Sequence, residues 1–68
     1  MNQNKLLALL KLHGDTQKML ADAIGITGST LNYKLHEKGT SFTQPEILVI
    51  KKRYNLSAKE IDDIFFSQ

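Results

Sequence analysis

The segment TQKMLADAIGITGSTLNYKL, residues 16–35, decides the fold of this chain. Its apolar residues recur at helical spacing on both sides of a glycine, which predicts two short helices meeting at a sharp turn. Gly25 permits that turn because a residue without a Cβ adopts a positive φ at little cost. The small side chain of Ala21 lets the second helix cross the first closely. The residues of this segment expected to face the core are Leu20, Ala21, Ile24, Ile26, Leu31 and Leu35.

Residues with side-chain hydroxyls mark the expected helix starts. Thr16 and Thr27 can cap the second and third helices, since a hydroxyl accepts hydrogen bonds from otherwise unpaired backbone N–H groups. Residues 43–46 and 57–60 have the Thr/Ser-x-x-Glu pattern of a capping box. Apolar periodicity predicts five helices and no strand, the first over about residues 3–13 and the third ending near residue 37, before Gly39. Further expected core residues are Leu6, Leu9, Leu10, Phe42, Ile47, Ile50, Tyr54, Ile61, Ile64 and Phe65.

Length and composition limit the possible functions. Sixty-eight residues allow one all-α domain, residues 1–68. The absence of cysteine excludes disulfides and thiolate metal sites and fits a cytoplasmic protein. The leucine-rich N-terminal stretch is too short and too charged to span a bilayer. His13 and His36 lack neighbouring metal ligands and no catalytic constellation is present in the sequence, so neither a metal, nor a cofactor, nor an enzymatic activity is expected.

The net charge of +2 is a weak indication of nucleic-acid binding, but the charge is unevenly distributed. Up to Leu56, eight lysines and arginines stand against four acidic residues, whereas residues 57–68 carry one lysine and three acidic residues. Such polarity orients a small protein in the field of a DNA duplex. We expect the acidic end to face away from phosphate. The cluster of Lys51, Lys52 and Arg53 is expected to be a solvated helix face.

The quoted segment resembles the helix-turn-helix of the phage-repressor and Cro-like family, in which a glutamine, an alanine, a glycine and an aliphatic residue recur at these offsets. In this chain they are Gln17, Ala21, Gly25 and Leu31. The later stretch STLNYKLHEKGTSFTQPEI, followed by NLS and IFF, looks like that of small phage or mobile-element regulators. The resemblance implies a compact, lambda-repressor-like five-helix bundle with the helix-turn-helix as helices two and three.

Three positions depart from that family pattern. Asp15 stands where an apolar residue usually precedes the second helix, which removes a packing contact. Lys34 stands where an aliphatic residue is common, and neither of these departures is expected to break the fold. Gly28 lies in the first turn of the third helix, where it lowers helix propensity by up to about 1 kcal/mol relative to alanine. It also lets the backbone approach a phosphate closely.

The resemblance implies that the third helix recognises DNA bases. Residues at its start and one turn further on meet base edges in the family, and these positions correspond here to Thr27, Gly28, Ser29, Asn32 and Tyr33. Asn32 is the sharpest candidate because its amide can both donate to and accept from adenine. The alternative for Asn32 and Ser29 is that they are simply solvated helix residues.

Phosphate contacts are expected around this set, because they fix the register of the helix on the duplex. Gln17 lies at a helix start, where its amide and the unpaired backbone N–H groups face the same anion. The alternative for Lys34 is an ordinary solvated lysine. The expected phosphate contacts are Gln17, Lys34, Lys38, Thr40, Ser41, Thr43 and Gln44.

A homodimer is expected because one recognition helix contacts only a few base pairs, whereas discrimination within a genome normally requires two half-sites. Phe65 and Phe66 are consecutive and cannot both face inward from a helix. Phe66, with Leu48 or Leu12, is therefore the expected apolar anchor for the partner. The alternative is that Phe66 folds over the edge of its own domain.

The sequence thus predicts a transcriptional regulator that occupies double-stranded operator DNA and represses by blocking polymerase. No membrane association and no small-molecule ligand is expected. The alternative is a small helical adaptor that binds protein through the same surface, such as an anti-repressor or a polymerase-binding module, and the low net charge leaves this alternative open. DNA binding that weakens steeply as salt rises separates the two functions.

Overall fold

The computed structural model describes residues 1–66, and this part of the chain contains five α-helices and no strand. The Cα radius of gyration is 10.9 Å, close to the ~11 Å expected for a compact domain of this length. The predicted all-α, five-helix architecture is therefore confirmed. The elements are α1 (Gln3–Leu12), α2 (Gln17–Ile24), α3 (Gly28–Leu35), α4 (Gln44–Tyr54), α5 (Ala58–Ile61) and a π-helical segment (Asp62–Phe66) that continues α5.

The helix starts lie where the hydroxyl residues predict them. Thr16 Oγ1 accepts from the Met19 backbone N–H at 3.1 Å, and Thr27 Oγ1 accepts from that of Thr30 at 3.1 Å. Both capping boxes are formed, by Thr43 with Glu46 and by Ser57 with Glu60. The cap of α1 was not predicted: it is Asn2, whose Oδ1 accepts from the Lys5 N–H at 3.2 Å. Each bond satisfies a backbone donor that has no partner within its helix.

The end of α3 differs from the prediction, because the helix ends at Leu35 rather than near residue 37. Glu37, not Gly39, takes the left-handed conformation directly after the helix, with φ = 53°. The backbone N–H of Lys38 then donates to the Tyr33 carbonyl at 3.0 Å, and that of Glu37 donates to the Lys34 carbonyl at 3.2 Å. These bonds complete the last turn, so the chain reverses two residues before the glycine.

Glu37→Gly is expected to raise the free energy of unfolding by about 0.5–1 kcal/mol, because a Cβ in the left-handed region costs more than the extra backbone entropy of glycine. The ion pair between the Met1 ammonium and Glu37 Oε1, at 3.1 Å, is lost in this variant, and since the Met1 side chain is 5 % exposed and that of Glu37 54 %, this loss offsets part of the backbone gain. Urea unfolding measures the change. Asn55→Gly is the control, since Asn55 also has φ = 53° and asparagine tolerates that conformation. A gain at Asn55 as large as that at Glu37 would contradict the explanation.

The core draws one fully buried side chain from each of the first four helices: Leu6, Leu20, Leu31 and Ile50. Buried residues around them are Leu10, Ala21, Leu35, Tyr54, Leu56, Ile61 and Ile64, and partly buried residues are Leu9, Ile24, Ile26, Phe42, Ile47 and Phe65. Phe42 and Phe65 meet edge to face, with ring centroids 5.5 Å apart. The predicted apolar stripes are therefore confirmed, and Met19 on α2 is exposed.

The C-terminal helix is shorter than expected, since α5 makes one turn before the chain widens into the π-helical segment. In that segment Ile64 is buried while Phe66 is exposed. The backbone N–H of Asn2 donates to the Ile64 carbonyl at 2.6 Å, which ties the start of α1 to it. Apolar spacing predicted the helix but carried no sign of this change in winding.

The connection between α1 and α2 is clasped to the end of α4 through Asp15. Its carboxylate accepts from Arg53 Nε at 2.8 Å and Nη2 at 2.9 Å, and from the Tyr54 hydroxyl at 2.7 Å. The His13 ring lies against the Tyr54 ring, with centroids 4.9 Å apart. Asp15 thus replaces an expected apolar contact with three polar ones. Arg53, expected on a solvated face, is a structural partner of Asp15.

The hydrogen bonds from Arg53 and Tyr54 to Asp15, which together form the Asp15 clasp, perturb the pKa values of Asp15 and Tyr54. The hydrogen bonds from Arg53, and then from Tyr54, lower the pKa of Asp15 to about 2 from its ordinary 3.8. Burial, together with the bond to Asp15, raises the pKa of Tyr54 to about 12. Since the folded pKa of Asp15 lies below its unfolded value, the carboxylate contributes its full stabilisation above about pH 4 and loses it as pH falls towards 2.

Asp15→Asn is expected to destabilise the protein at neutral pH and to flatten the fall in unfolding free energy between pH 4 and pH 2. Urea unfolding at several pH values across that window measures both effects. Asp22→Asn is the matched control, because the exposed Asp22 carboxylate pairs with the exposed Lys18 ammonium, at 3.1 Å. If Asp15→Asn retained the acid dependence of the wild-type protein, the assignment of that dependence to the clasp would be wrong.

Candidate nucleic-acid interface

Helix α3 has one buried and one exposed face. Leu31 and Leu35 lie in the core, at 0 % and 2 % exposure, while Asn32 and Tyr33 point away from it, with Tyr33 52 % exposed. Ser29, one turn before, is exposed as well. The spacing follows from the helical repeat, which places residues three and four apart on the same side. Three of the five predicted base-reading side chains therefore lie together on a solvent-facing surface.

Thr27 and Gly28, the other two predicted base contacts, lie at the start of α3. The Thr27 hydroxyl accepts from the Thr30 N–H and donates to Thr30 Oγ1 at 2.9 Å, so most of its hydrogen-bonding capacity serves the cap. Gly28 is exposed, and a Cβ built on it would meet nothing within 4 Å. The packing of this chain alone thus does not require glycine at position 28.

Lys34 is not a phosphate contact and not a solvated lysine, and both expectations for it are wrong. It is 6 % exposed, on the same face of α3 as Leu31 and Leu35. Its Nζ donates to the Ser41 carbonyl at 2.9 Å and lies 3.0 Å from Glu46 Oε1. A cation held inside the protein by two oxygens cannot reach a phosphate on a duplex.

Glu46 joins this buried pair to the capping box of α4. Its Oε1, which meets Lys34, also accepts from the Thr43 backbone N–H at 2.8 Å. Burial alone would raise the pKa of Glu46, but the Thr43 N–H and the Lys34 ammonium overcome it and hold the pKa below the usual 4.5. The carboxylate is therefore ionised at neutral pH, and the pair is a true ion pair.

The remaining predicted phosphate contacts are exposed and fall into two groups. Gln17 is the first residue of α2, which packs against both α3 and α4. The other five belong to one continuous stretch between α3 and the first turn of α4, and the Lys34–Glu46 pair ties that stretch to α3. They are Lys38, Thr40, Ser41, Thr43 and Gln44. The Thr43 hydroxyl caps α4, so its side chain is already engaged.

Sequence reasoning missed the ion pair of Lys18 with Asp22, at 3.1 Å on the surface of α2. The signal was available, because opposite charges four residues apart are neighbours on a helix. It also missed the partners of Asp15 and Lys34. For Lys34 a partial signal existed, since the residue falls within the apolar repeat that runs through Leu31 and Leu35.

The three predicted dimer contacts are all exposed: Leu12 at 78 %, Leu48 at 48 % and Phe66 at 59 %. Leu12 lines a groove of about 290 Å³ with Leu9 and Ile64, whereas Phe66 lines another of about 170 Å³. Phe66 thus lies against its own domain while more than half of its surface is exposed. This placement fits both an anchor for a partner subunit and a side chain folded over the edge of its own domain.

Other kinds of site find no support in the part of the chain that the structure describes. Within residues 1–66, no group of three or more histidine, cysteine, aspartate or glutamate side chains is arranged to hold a metal ion. Among the helices of that same range, none combines the length and hydrophobicity required to cross a bilayer.

No protein-family model matches this chain, and no curated protein or solved structure is significantly similar to it. A functional interpretation therefore depends on the residues themselves. The exposed face of α3 and the polar stretch that follows it are the features with chemistry suited to recognition.

Proposed function

We propose that this protein is a sequence-specific, DNA-binding transcriptional regulator similar to phage repressors and Cro, in which α2 and α3 act as a helix-turn-helix. The observation that carries the proposal is the two-sided character of α3. Leu31 and Leu35 anchor it in the core, while Ser29, Asn32 and Tyr33 are exposed on its outer side. A rigidly held helix with outward polar side chains is what readout of base edges requires.

The dimensions and chemistry of α3 support docking in the major groove. A helix with its side chains is about 10–12 Å in diameter, which suits a major groove about 12 Å wide, and the eight residues of α3 extend about 12 Å along it at 1.5 Å per residue. The Asn32 amide can form a bidentate pair with adenine, the Ser29 hydroxyl can donate or accept, and the Tyr33 ring can contact a thymine methyl. Lys38, Thr40, Ser41 and Gln44 follow α3 and supply cationic and neutral donors for phosphate oxygens.

In this proposal the protein acts in the cytoplasm by occupying operator DNA as a homodimer and so blocking polymerase. Catalysis and a cofactor have no part in it. Two-fold symmetry would place two copies of α3 in successive major grooves, about one helical turn apart. The acidic C-terminal segment would then face away from the duplex, because its charge repels phosphate.

The test begins with duplexes selected by the wild-type protein from a random DNA library, which are then titrated at two salt concentrations. Binding must weaken steeply with salt, and Lys38→Ala is expected to reduce the slope of log K against log salt by about 0.9, with similar losses on selected and scrambled duplexes. Lys59→Ala, on α5, makes the same charge change away from the proposed interface and should leave the slope near the wild-type value. Absent or salt-insensitive binding would contradict DNA recognition.

The alternative function, a small protein-binding adaptor, is favoured by the exposed apolar side chains. Leu12, Met19, Leu48 and Phe66 are each at least 46 % exposed, and large exposed apolar groups mark interaction surfaces when they are contiguous. The same experiment distinguishes the two functions, because selection from a random library with a protein adaptor would yield no enriched DNA motif.

A further inference from the structure

We propose that the buried Lys34–Glu46 ion pair is a positioning device for DNA binding, which holds residues 38–44 at a fixed place relative to the exposed face of α3. The inference rests on the proposed function, because it assigns base contacts to α3 and phosphate contacts to the stretch that follows. A duplex presents its base edges and phosphates at fixed spacing. A protein that meets both at once must hold its two contact segments in one register.

The Lys34–Glu46 ion pair connects three backbone segments. Lys34 is part of α3, and its Nζ donates to the Ser41 carbonyl in the connecting stretch at 2.9 Å. The same Nζ lies 3.0 Å from Glu46 Oε1 on α4. That oxygen accepts in turn from the Thr43 backbone N–H at 2.8 Å. One cation and one carboxylate thus connect α3, the middle of the connecting stretch and the start of α4.

Stability alone does not account for a charged pair at this place. The Lys34 and Glu46 side chains are 8 % and 15 % exposed, so both charges are largely withdrawn from water. Replacing such a pair by apolar side chains of similar volume is often neutral or stabilising. Apolar side chains at positions 34 and 46 together would therefore have served the core. They would not have fixed the direction of the Ser41 carbonyl or of the Thr43 N–H, which hydrogen bonds do.

The double variant Lys34→Met/Glu46→Gln tests the inference. It leaves the net charge unchanged, so the long-range attraction to DNA is preserved. It leaves no unpaired buried charge, and glutamine at position 46 retains the capping box. Ser29, Asn32, Tyr33 and Lys38 are untouched.

The probes are a duplex selected by the wild-type protein from a random library and a scrambled duplex of equal length and composition. We expect the double variant to bind the selected duplex about 10-fold more weakly, since the loosened stretch must be ordered on binding. Affinity for the scrambled duplex should stay within about 2-fold, because non-specific binding depends on charge. The control is Lys5→Met/Asp63→Asn, which removes another ion pair, 3.8 Å long, at unchanged net charge and outside the proposed interface.

The outcomes separate this inference from the proposed function. If the wild-type protein binds neither duplex in a salt-dependent way, the proposed function fails and the inference with it. If the wild-type protein discriminates between the duplexes and the double variant keeps the same ratio of affinities, the function stands and the inference is overturned. That result would mean that the pair stabilises the fold only.

Folding of each variant is verified by circular dichroism at the assay temperature. If the double variant is unfolded, Lys34→Gln/Glu46→Gln replaces it, because this variant also keeps the net charge and the capping box and leaves no unpaired buried charge. A neutral amide at position 34 is shorter than lysine and forms weaker hydrogen bonds than an ammonium, so we then expect a loss of the same kind, confined to the selected duplex. An unchanged ratio of affinities in this second variant, once it is shown to be folded, overturns the inference equally.

Discussion

Leu31→Ala is expected to lower the free energy of unfolding by about 3–5 kcal/mol, the range for leucine deletions that leave a cavity in a close-packed core. Leu31 is fully buried and lies on the inner face of α3. The free energy of unfolding of a small single domain is only a few kcal/mol. We therefore expect the variant to be largely unfolded at 37 °C and to lose the proposed DNA binding for that reason alone.

Urea unfolding at low temperature measures the effect of Leu31→Ala, with Met19→Ala as its control. Met19 is 46 % exposed on α2 and is not one of the expected dimer contacts, so its truncation should cost less than about 1 kcal/mol. A loss at Leu31 no larger than that at Met19 would show that the inner face of α3 is not packed as described.

Asn32→Ala is expected to cost about 1–3 kcal/mol at one base position of the selected duplex, the value of a good bidentate contact. Affinity for scrambled duplexes should hardly change, because phosphate contacts dominate there. Unfolding free energy should not fall, since Asn32 is exposed and alanine is the better helix former.

Competition titrations against duplexes carrying each single base change measure this effect. Asn4→Ala is the control, because Asn4 is an exposed asparagine on α1, outside the proposed interface. Equal losses on selected and scrambled DNA for Asn32→Ala would remove this residue from the base-reading set.

Local signals in the sequence were sufficient for most of the helix starts and for the core. A cap such as Thr16 or Thr43 acts on a donor three residues away, and an apolar stripe such as that of α2 repeats within two turns. Both can be recognised without knowledge of the tertiary structure. The end of α3 was harder to predict, because Glu37 occupies a left-handed position that composition assigns to the nearby Gly39.

The partners of Asp15, Arg53 and Lys34 could not be predicted, because no local pattern in the sequence brings these residues together. Arg53 and Asp15 are 38 positions apart, and nothing local distinguishes Arg53 from the lysines before it. Lys34 was misjudged for a related reason, since its partners, Ser41 and Glu46, lie in the stretch after α3 and in the first turn of α4, and the path of that stretch could not be predicted. The exposed face of α3 and the exposed residues of the following stretch could therefore be predicted, but not the ion pair that connects them.

The clasp at Asp15 has a consequence for how the molecule opens. The bonds to Arg53 and Tyr54 close a loop of the chain that contains both α2 and α3. Closing a long loop costs entropy once, and every helix inside it shares that cost. While the loop stays closed, unfolding of either helix gains less chain entropy, so the same contact stabilises both, and we expect α2 and α3 to be lost and regained together as one cooperative unit.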